Sequence, residues 1–156
     1  MEVRLKQIGV VRVNASDDEV REKSGQLEGY IEVFEEFAEG LDGIEEYSHL
    51  FVIAYLHRSE GKWLLKVRPR RLLKKGFRED ELPVLGVFAT DSPVRPNPIA
   101  LTLVRLIGRE GNRLRVRGLD LFDGTPVLDI KPYRPDYRAE DFKIPAWVLH
   151  DTREGV

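Results

Sequence analysis

Apolar residues in this chain alternate with polar ones in short runs bounded by glycine, proline or charged clusters, the spacing of half-buried β-strands rather than helices. Residues 7–13, rich in valine and isoleucine, predict a first strand and 29–34 a second, with a polar segment at 14–25 between them. Residues 35–41 predict a short acidic helix or turn, bracketed by Gly40 and Gly43, and 44–47 a further turn. Residues 49–57 are nearly continuous in apolar side chains, the pattern of a strand buried on both faces. Two more strands are expected at 63–67 and 83–89. Residues 99–107 and 113–119 predict a hairpin across the turn 108–112, and its second arm alternates strictly, placing Arg113, Arg115 and Arg117 on one solvent-facing side. A last strand is expected at 126–133. Residues 135–156 read as a polar C-terminal tail clipped to the barrel by Ile144, Trp147, Val148 and Leu149. Many short strands with little helix predict a mostly β fold: a single small closed or partly closed β-barrel with one or two short helices, in one domain over 1–156.

The composition narrows the chemistry. A chain of 156 residues with 42% hydrophobic and 33% charged residues can bury one core beneath a heavily ionised surface. With no cysteine, it has no disulfide, thiolate zinc site or cysteine nucleophile. The N-terminus lacks the apolar core of a signal peptide and no apolar run is long enough to span a membrane, so the cytoplasm is the expected compartment. No Gly-x-Gly-x-x-Gly follows a strand, so no Rossmann-type cradle is written here, and there is neither a Walker loop nor a Gly-x-Ser-x-Gly elbow. His49, His57 and His150 are scattered, so no metal centre is expected.

Two polar loops remain. Residues 86–98 read Gly-Val-Phe-Ala-Thr-Asp-Ser-Pro-Val-Arg-Pro-Asn-Pro, and 123–133 read Asp-Gly-Thr-Pro-Val-Leu-Asp-Ile-Lys-Pro-Tyr. Pro93, Pro96 and Pro98 exclude helix and central strand and make a stiff loop carrying Thr90, Asp91, Ser92, Arg95 and Asn97. Such a loop is either a binding rim or a surface turn between strands. The net charge of −2 hides a second asymmetry, because Lys66, Arg68, Arg70, Arg71, Lys74, Lys75 and Arg78 form a run with no acid among them. This run is either a phosphate-binding surface, which Arg105, Arg109, Arg113, Arg115 and Arg117 could extend, or a solvated loop beside a strand of paired arginines.

At the two long motifs the sequence resembles the TsaA-like β-barrel family, whose characterised members are the TrmO tRNA methyltransferases. Ile8-Gly9-Val10-Val11-Arg12 and the stretch from Leu41 through Ser48-His49-Leu50 extend the likeness along nearly the whole chain. The resemblance implies a homodimeric, non-Rossmann barrel that binds S-adenosylmethionine. Its implied reaction is methylation of the exocyclic nitrogen of threonylcarbamoyl-adenosine beside the tRNA anticodon. It assigns cofactor contacts to His57, Arg58, Leu101, Asp120, Leu121, Phe122 and Asp123, gathered at one mouth. Leu121 and Phe122 read equally well as core. Where the family has a cofactor-binding arginine this chain has Asp91, a charge reversal that moves the carboxylate clamp to Arg95 or Arg58. Ala100 also stands where the family has glycine.

On this reading Asp123 is the first candidate for the base or orienting acceptor, with Lys131 and Tyr133 within reach of the same mouth, or else Asp123 caps its own turn. The basic run from Lys66 to Arg78 is expected to grip the anticodon stem-loop. The alternatives are a noncatalytic RNA- or nucleotide-binding barrel and a barrel methyltransferase acting on another small substrate.

Overall fold

A computed structural model describes residues 1–151. Six of its eight strands close into an antiparallel barrel in the order β1-β2-β7-β6-β3-β8. The barrel strands are β1 (Gly9–Arg12), β2 (Leu27–Val33), β3 (His49–Tyr55), β6 (Ile99–Glu110), β7 (Arg113–Leu119) and β8 (Pro126–Pro132), while β4 (Lys66–Val67) and β5 (Leu85–Gly86) form a separate two-stranded ribbon. Alternation decides which side chains enter. Val11, Ile31, Leu50, Val52, Val104, Leu114 and Val116 fill the interior completely, so the barrel is a packed core and not a channel.

The expected hairpin is present with a tighter turn. β6 continues to Glu110 and pairs it with Arg113, which leaves only Gly111 and Asn112 between the arms. Gly111 has φ +63°, a conformation that glycine adopts without a Cβ clash. The strand expected at 49–57 also changes character. β3 alternates buried and half-buried residues, with Leu50, Val52 and Ala54 inside and Phe51, Ile53 and Tyr55 on the outer wall. Both faces are apolar, but the outer one is only half-buried instead of buried as expected, because no described layer covers it completely.

Other departures have local causes. The polar segment 14–25 contains helix α1 (Asp17–Glu22), started by a capping box in which Ser16 and Glu19 bond reciprocally to each other's backbone. The strands expected at 63–67 and 83–89 shrink to two residues each, because the Leu64 N–H bonds instead to the Val94 carbonyl (3.0 Å) and Val87–Ala89 turns into a 3-10 helix. The basic run is likewise a 3-10 turn at Arg70–Lys75, not an open loop. Helix α2 (Ala146–Asp151) rests against that turn through Phe77–His150 edge packing and an Arg71–Asp151 ion pair at 3.5 Å. Of the four clip residues, Trp147 and Val148 are half-buried, whereas Ile144 and Leu149 are exposed. Among the described residues no helix is long and apolar enough to cross a membrane.

Candidate functional site

The antiparallel order fixes what meets at each end of the barrel. The C-terminal ends of β1, β3 and β7 lie at one mouth with the N-terminal ends of β2, β6 and β8. That mouth therefore collects α1, the excursion 57–98 and the segment 120–125. Most of the expected cofactor contacts belong to these elements.

Phe122 is half-buried, and the guanidinium groups of Arg21 and Arg58 each lie 5.0 Å from its ring centroid. Arg58 also forms an ion pair with Asp17 of α1. Asp120 accepts a hydrogen bond from the Thr102 hydroxyl at 2.7 Å, which ties the end of β7 to the interior of β6. Asp123 Oδ1 accepts the Val13 backbone N–H at 3.0 Å, while the residue itself stays exposed. This bond crosses to the end of β1 rather than closing the Asp-Gly-Thr turn, which is held instead by Thr125 bonding back to the Phe122 carbonyl at 2.7 Å. His57 is exposed and has left β3 for the 3-10 turn His57–Ser59. The neighbouring Tyr55 hydroxyl is bonded to Glu60, which raises its pKa above the usual phenol value and keeps it protonated.

Other expected site residues stand elsewhere. Leu121 is 3% exposed and belongs to the hydrophobic core. Leu101 points away from the core, 67% exposed, opposite Ile53 on the outer wall, so a ligand reaches it only around the rim. Lys131 and Tyr133 are not at this mouth. β8 carries them along the barrel wall, and at ~3.3 Å per residue Lys131 lies about 17 Å beyond Pro126. Lys131 pairs opposite Phe51, 3.9 Å from the Asp129 carboxylate. Tyr133 packs against His49, Phe51 and Tyr137, with ring centroids 5.8 to 6.4 Å away.

The proline loop is braced by its own polar residues. Thr90 Oγ1 bonds to the Val87 carbonyl and accepts the Ser92 N–H, while Arg95 Nη1 donates to the carbonyls of Thr90 (2.8 Å) and Ser92 (3.2 Å). Arg95 thus holds the loop's shape, and Arg58, together with Arg21, is presented at Phe122 of the Asp120–Asp123 segment. Asp91 is exposed. Part of the basic run is paired from nearby, with Arg70 on Glu79 (2.8 Å), Arg71 on Asp151 (3.5 Å) and Arg78 on Asp80 (3.2 Å), while Arg68 donates to the carbonyls of Glu79 and Leu82. Lys66, Lys74 and Lys75 are exposed.

Two residues escaped the sequence reading. Asp17 and Arg21 project from α1 to Arg58 and Phe122, and the signal for that helix was the Ser16-x-x-Glu19 capping box. Among the described residues no group of three histidine, aspartate or glutamate side chains could hold a metal ion.

A closed antiparallel barrel with a filled interior defines a non-Rossmann β-barrel protein. The tRNA-methyltransferase O N-terminal domain matches residues 20–139, and the chain belongs to that family. It is 49% identical over 115 residues to a protein of Pyrococcus abyssi named as a probable S-adenosyl-L-methionine-binding protein, covering 74% of this chain and 57% of that one. It is 43% identical over 103 residues to the tRNA (adenine(37)-N6)-methyltransferase of Escherichia coli, covering 63% of this chain and 41% of the relative. A crystal structure of TrmO superposes with a TM-score of 0.71 at 33% identity, covering 94% of this chain and 64% of that chain. The chain thus spans about two fifths to two thirds of the length of these relatives.

Proposed function

We propose that the protein is an S-adenosylmethionine-dependent methyltransferase acting on the exocyclic nitrogen of threonylcarbamoyl-adenosine beside the tRNA anticodon, in the cytoplasm and as a homodimer. The observation that carries this reading is the meeting of Arg58, Phe122 and the Asp120 and Asp123 carboxylates at one mouth of a barrel of this family. These groups suit the cofactor chemically. Arg58 supplies a cation for its carboxylate, Phe122 a flat apolar face for adenine, and Asp120 and Asp123 acceptors for hydroxyls or the sulfonium charge. Bound there, the cofactor supplies an electrophilic methyl group. Asp123 then orients the acceptor nitrogen or takes its proton, and the braced proline loop limits motion at the rim. Incubating the protein with tRNA and cofactor, then analysing anticodon-loop nucleosides by mass spectrometry, tests the reading. Cofactor binding without any methylated nucleoside would favour a nucleotide-binding barrel.

The clamp role of Arg58 carries its own prediction. Asp17 neutralises the guanidinium that the cofactor carboxylate would need, so the two carboxylates compete. Asp17→Asn is expected to tighten S-adenosylmethionine binding about three- to tenfold by calorimetry, and Arg58→Ala to weaken it at least tenfold. Weaker binding by Asp17→Asn would show that the ion pair builds the site instead of occupying it.

The dimer is assigned to the outer wall of β3 and β6. Ile99, Leu101 and Ile107 are exposed there beside half-buried Phe51, Ile53 and Tyr55, a larger apolar strip than a solitary barrel needs. Leu101→Asp is expected to convert the dimer to monomer in light scattering while the melting temperature changes little. An unchanged molar mass would place the interface elsewhere.

A further inference from the structure

Arg12, Tyr30 and Arg115 stand in register on β1, β2 and β7, so their side chains share the outer wall. One step further along the wall, Glu28 is in register with Arg117, which pairs with Arg105 of β6. With Arg113, Glu32 and Glu110 at the other end of this surface, five arginines face three glutamates. Between them lies an open groove of about 650 Å³ lined by Arg12, Asn14, Tyr30, Arg113, Arg115 and Asp123, among others.

The chemistry inside the groove is that of single-strand recognition. The Arg113 guanidinium lies 4.1 Å from the centroid of the Tyr30 ring, a stacked pair of flat groups with the guanidinium also 3.7 Å from Glu32. Bases stack on such planes regardless of sequence. Arg12 is exposed and has no hydrogen bond or ion pair among the described residues. Arg115 and Arg117 share one carboxylate, Glu28, at 3.0 and 2.6 Å. Both guanidiniums hold the Glu28 carboxyl below the usual carboxylate range, which keeps it ionised as their common anchor. In the 66–78 run, by contrast, Arg70 pairs with Glu79, Arg71 with Asp151, and Arg78 with Asp80 and Glu81. The groove also begins at the candidate mouth, because Asp123 lines both.

We propose that this groove takes a single-stranded RNA segment running on from the nucleotide at the mouth, with a base against the Tyr30 and Arg113 pair and phosphates at Arg12 and Arg115. The assignment rests on the reading of the mouth as a tRNA-modifying site, and it makes the outer wall of β1, β2 and β7 the RNA track in place of the 66–78 run. Such binding is electrostatic in strength and stacking in fit.

The test measures binding of an anticodon stem-loop RNA to the full chain by fluorescence anisotropy, beside cofactor affinity by calorimetry. Arg12→Glu is expected to weaken RNA binding at least tenfold and to flatten the slope of log affinity against log salt by about 0.7. Tyr30→Ala is expected to weaken it about tenfold with the salt slope unchanged. Glu28→Gln releases two arginines and is expected to tighten it severalfold. Cofactor affinity stays at the wild-type value in all three. RNA binding unchanged by Arg12→Glu and Tyr30→Ala overturns the proposal, as does no RNA binding by the wild type. Loss of binding on reversing Lys66, Lys74 and Lys75 while Arg12→Glu binds normally overturns it as well, and returns the track to the basic turn. A wild-type protein that binds RNA through the groove but methylates no nucleoside upholds this inference while removing the proposed reaction.

Discussion

Asp123→Asn is expected to slow methyl transfer to tRNA about a hundredfold while the protein melts at the wild-type temperature. The two effects separate because the carboxylate does two jobs. Its Oδ1 accepts the Val13 N–H at 3.0 Å and fastens the segment after β7 to the end of β1. An asparagine carbonyl accepts the same bond, so the fastening survives. What is lost is the negative charge available to orient or deprotonate the acceptor nitrogen, a contribution that is typically ~10²–10⁴-fold for a positioned base. Asp123→Ala removes both functions, and the unmade bond costs about 1 kcal/mol, a fall of about 2–4 °C in melting temperature. Single-turnover methylation with saturating cofactor and tRNA, beside thermal melts of both variants, measures the two quantities independently. Full-rate transfer by Asp123→Asn would leave Asp123 a purely structural acceptor and move the proton elsewhere at the mouth.

The same residue shows how far the sequence could be read. Alternation in 113–119 and the glycine-asparagine turn before it are local signals, and the β6-β7 hairpin follows from them directly. The barrel followed from many short strands with little helix between them. The placement of Asp123, Lys131 and Tyr133 did not follow, because one motif spans a whole strand and its two ends emerge at opposite ends of the barrel. Arginine pairing was illegible for a related reason. Glu28 meets Arg117 across 89 residues, and no local pattern announces a partner that strand order alone brings near. The continuous apolar run at 49–57 predicts burial on both faces, but only the inner face is buried and the outer one is half-buried, because apolar side chains do not by themselves specify what packs over them. For α1 the local signal is the Ser16–Glu19 capping box, and a helix that buries only Val20 carries no apolar period beside it.

Gly9→Ala is expected to destabilise the protein by about 2–3 kcal/mol, lowering its melting temperature by about 5–10 °C. β1 is four residues long, yet it closes the ring, pairing with β2 along its length and with β8 only through Gly9 opposite Val127 and Val10 opposite Pro126. A Cβ built at Gly9 would stand 2.3 Å from the Glu32 carbonyl oxygen and 3.1 Å from the Val33 Cα. Those atoms are backbone, so no rotamer change relieves the clash. β1 must instead move off β2, and that shift strains its short seam with β8. Gly40→Ala supplies the matched control, because a Cβ there meets nothing within 4 Å and the residue is exposed. It is expected to lie within about 0.5 kcal/mol of wild type, since it slightly reduces the freedom of the unfolded chain without a native clash. Equal melting temperatures for the two variants would mean that β1 can be displaced freely, and closure of the barrel through Gly9 would then contribute little to its stability.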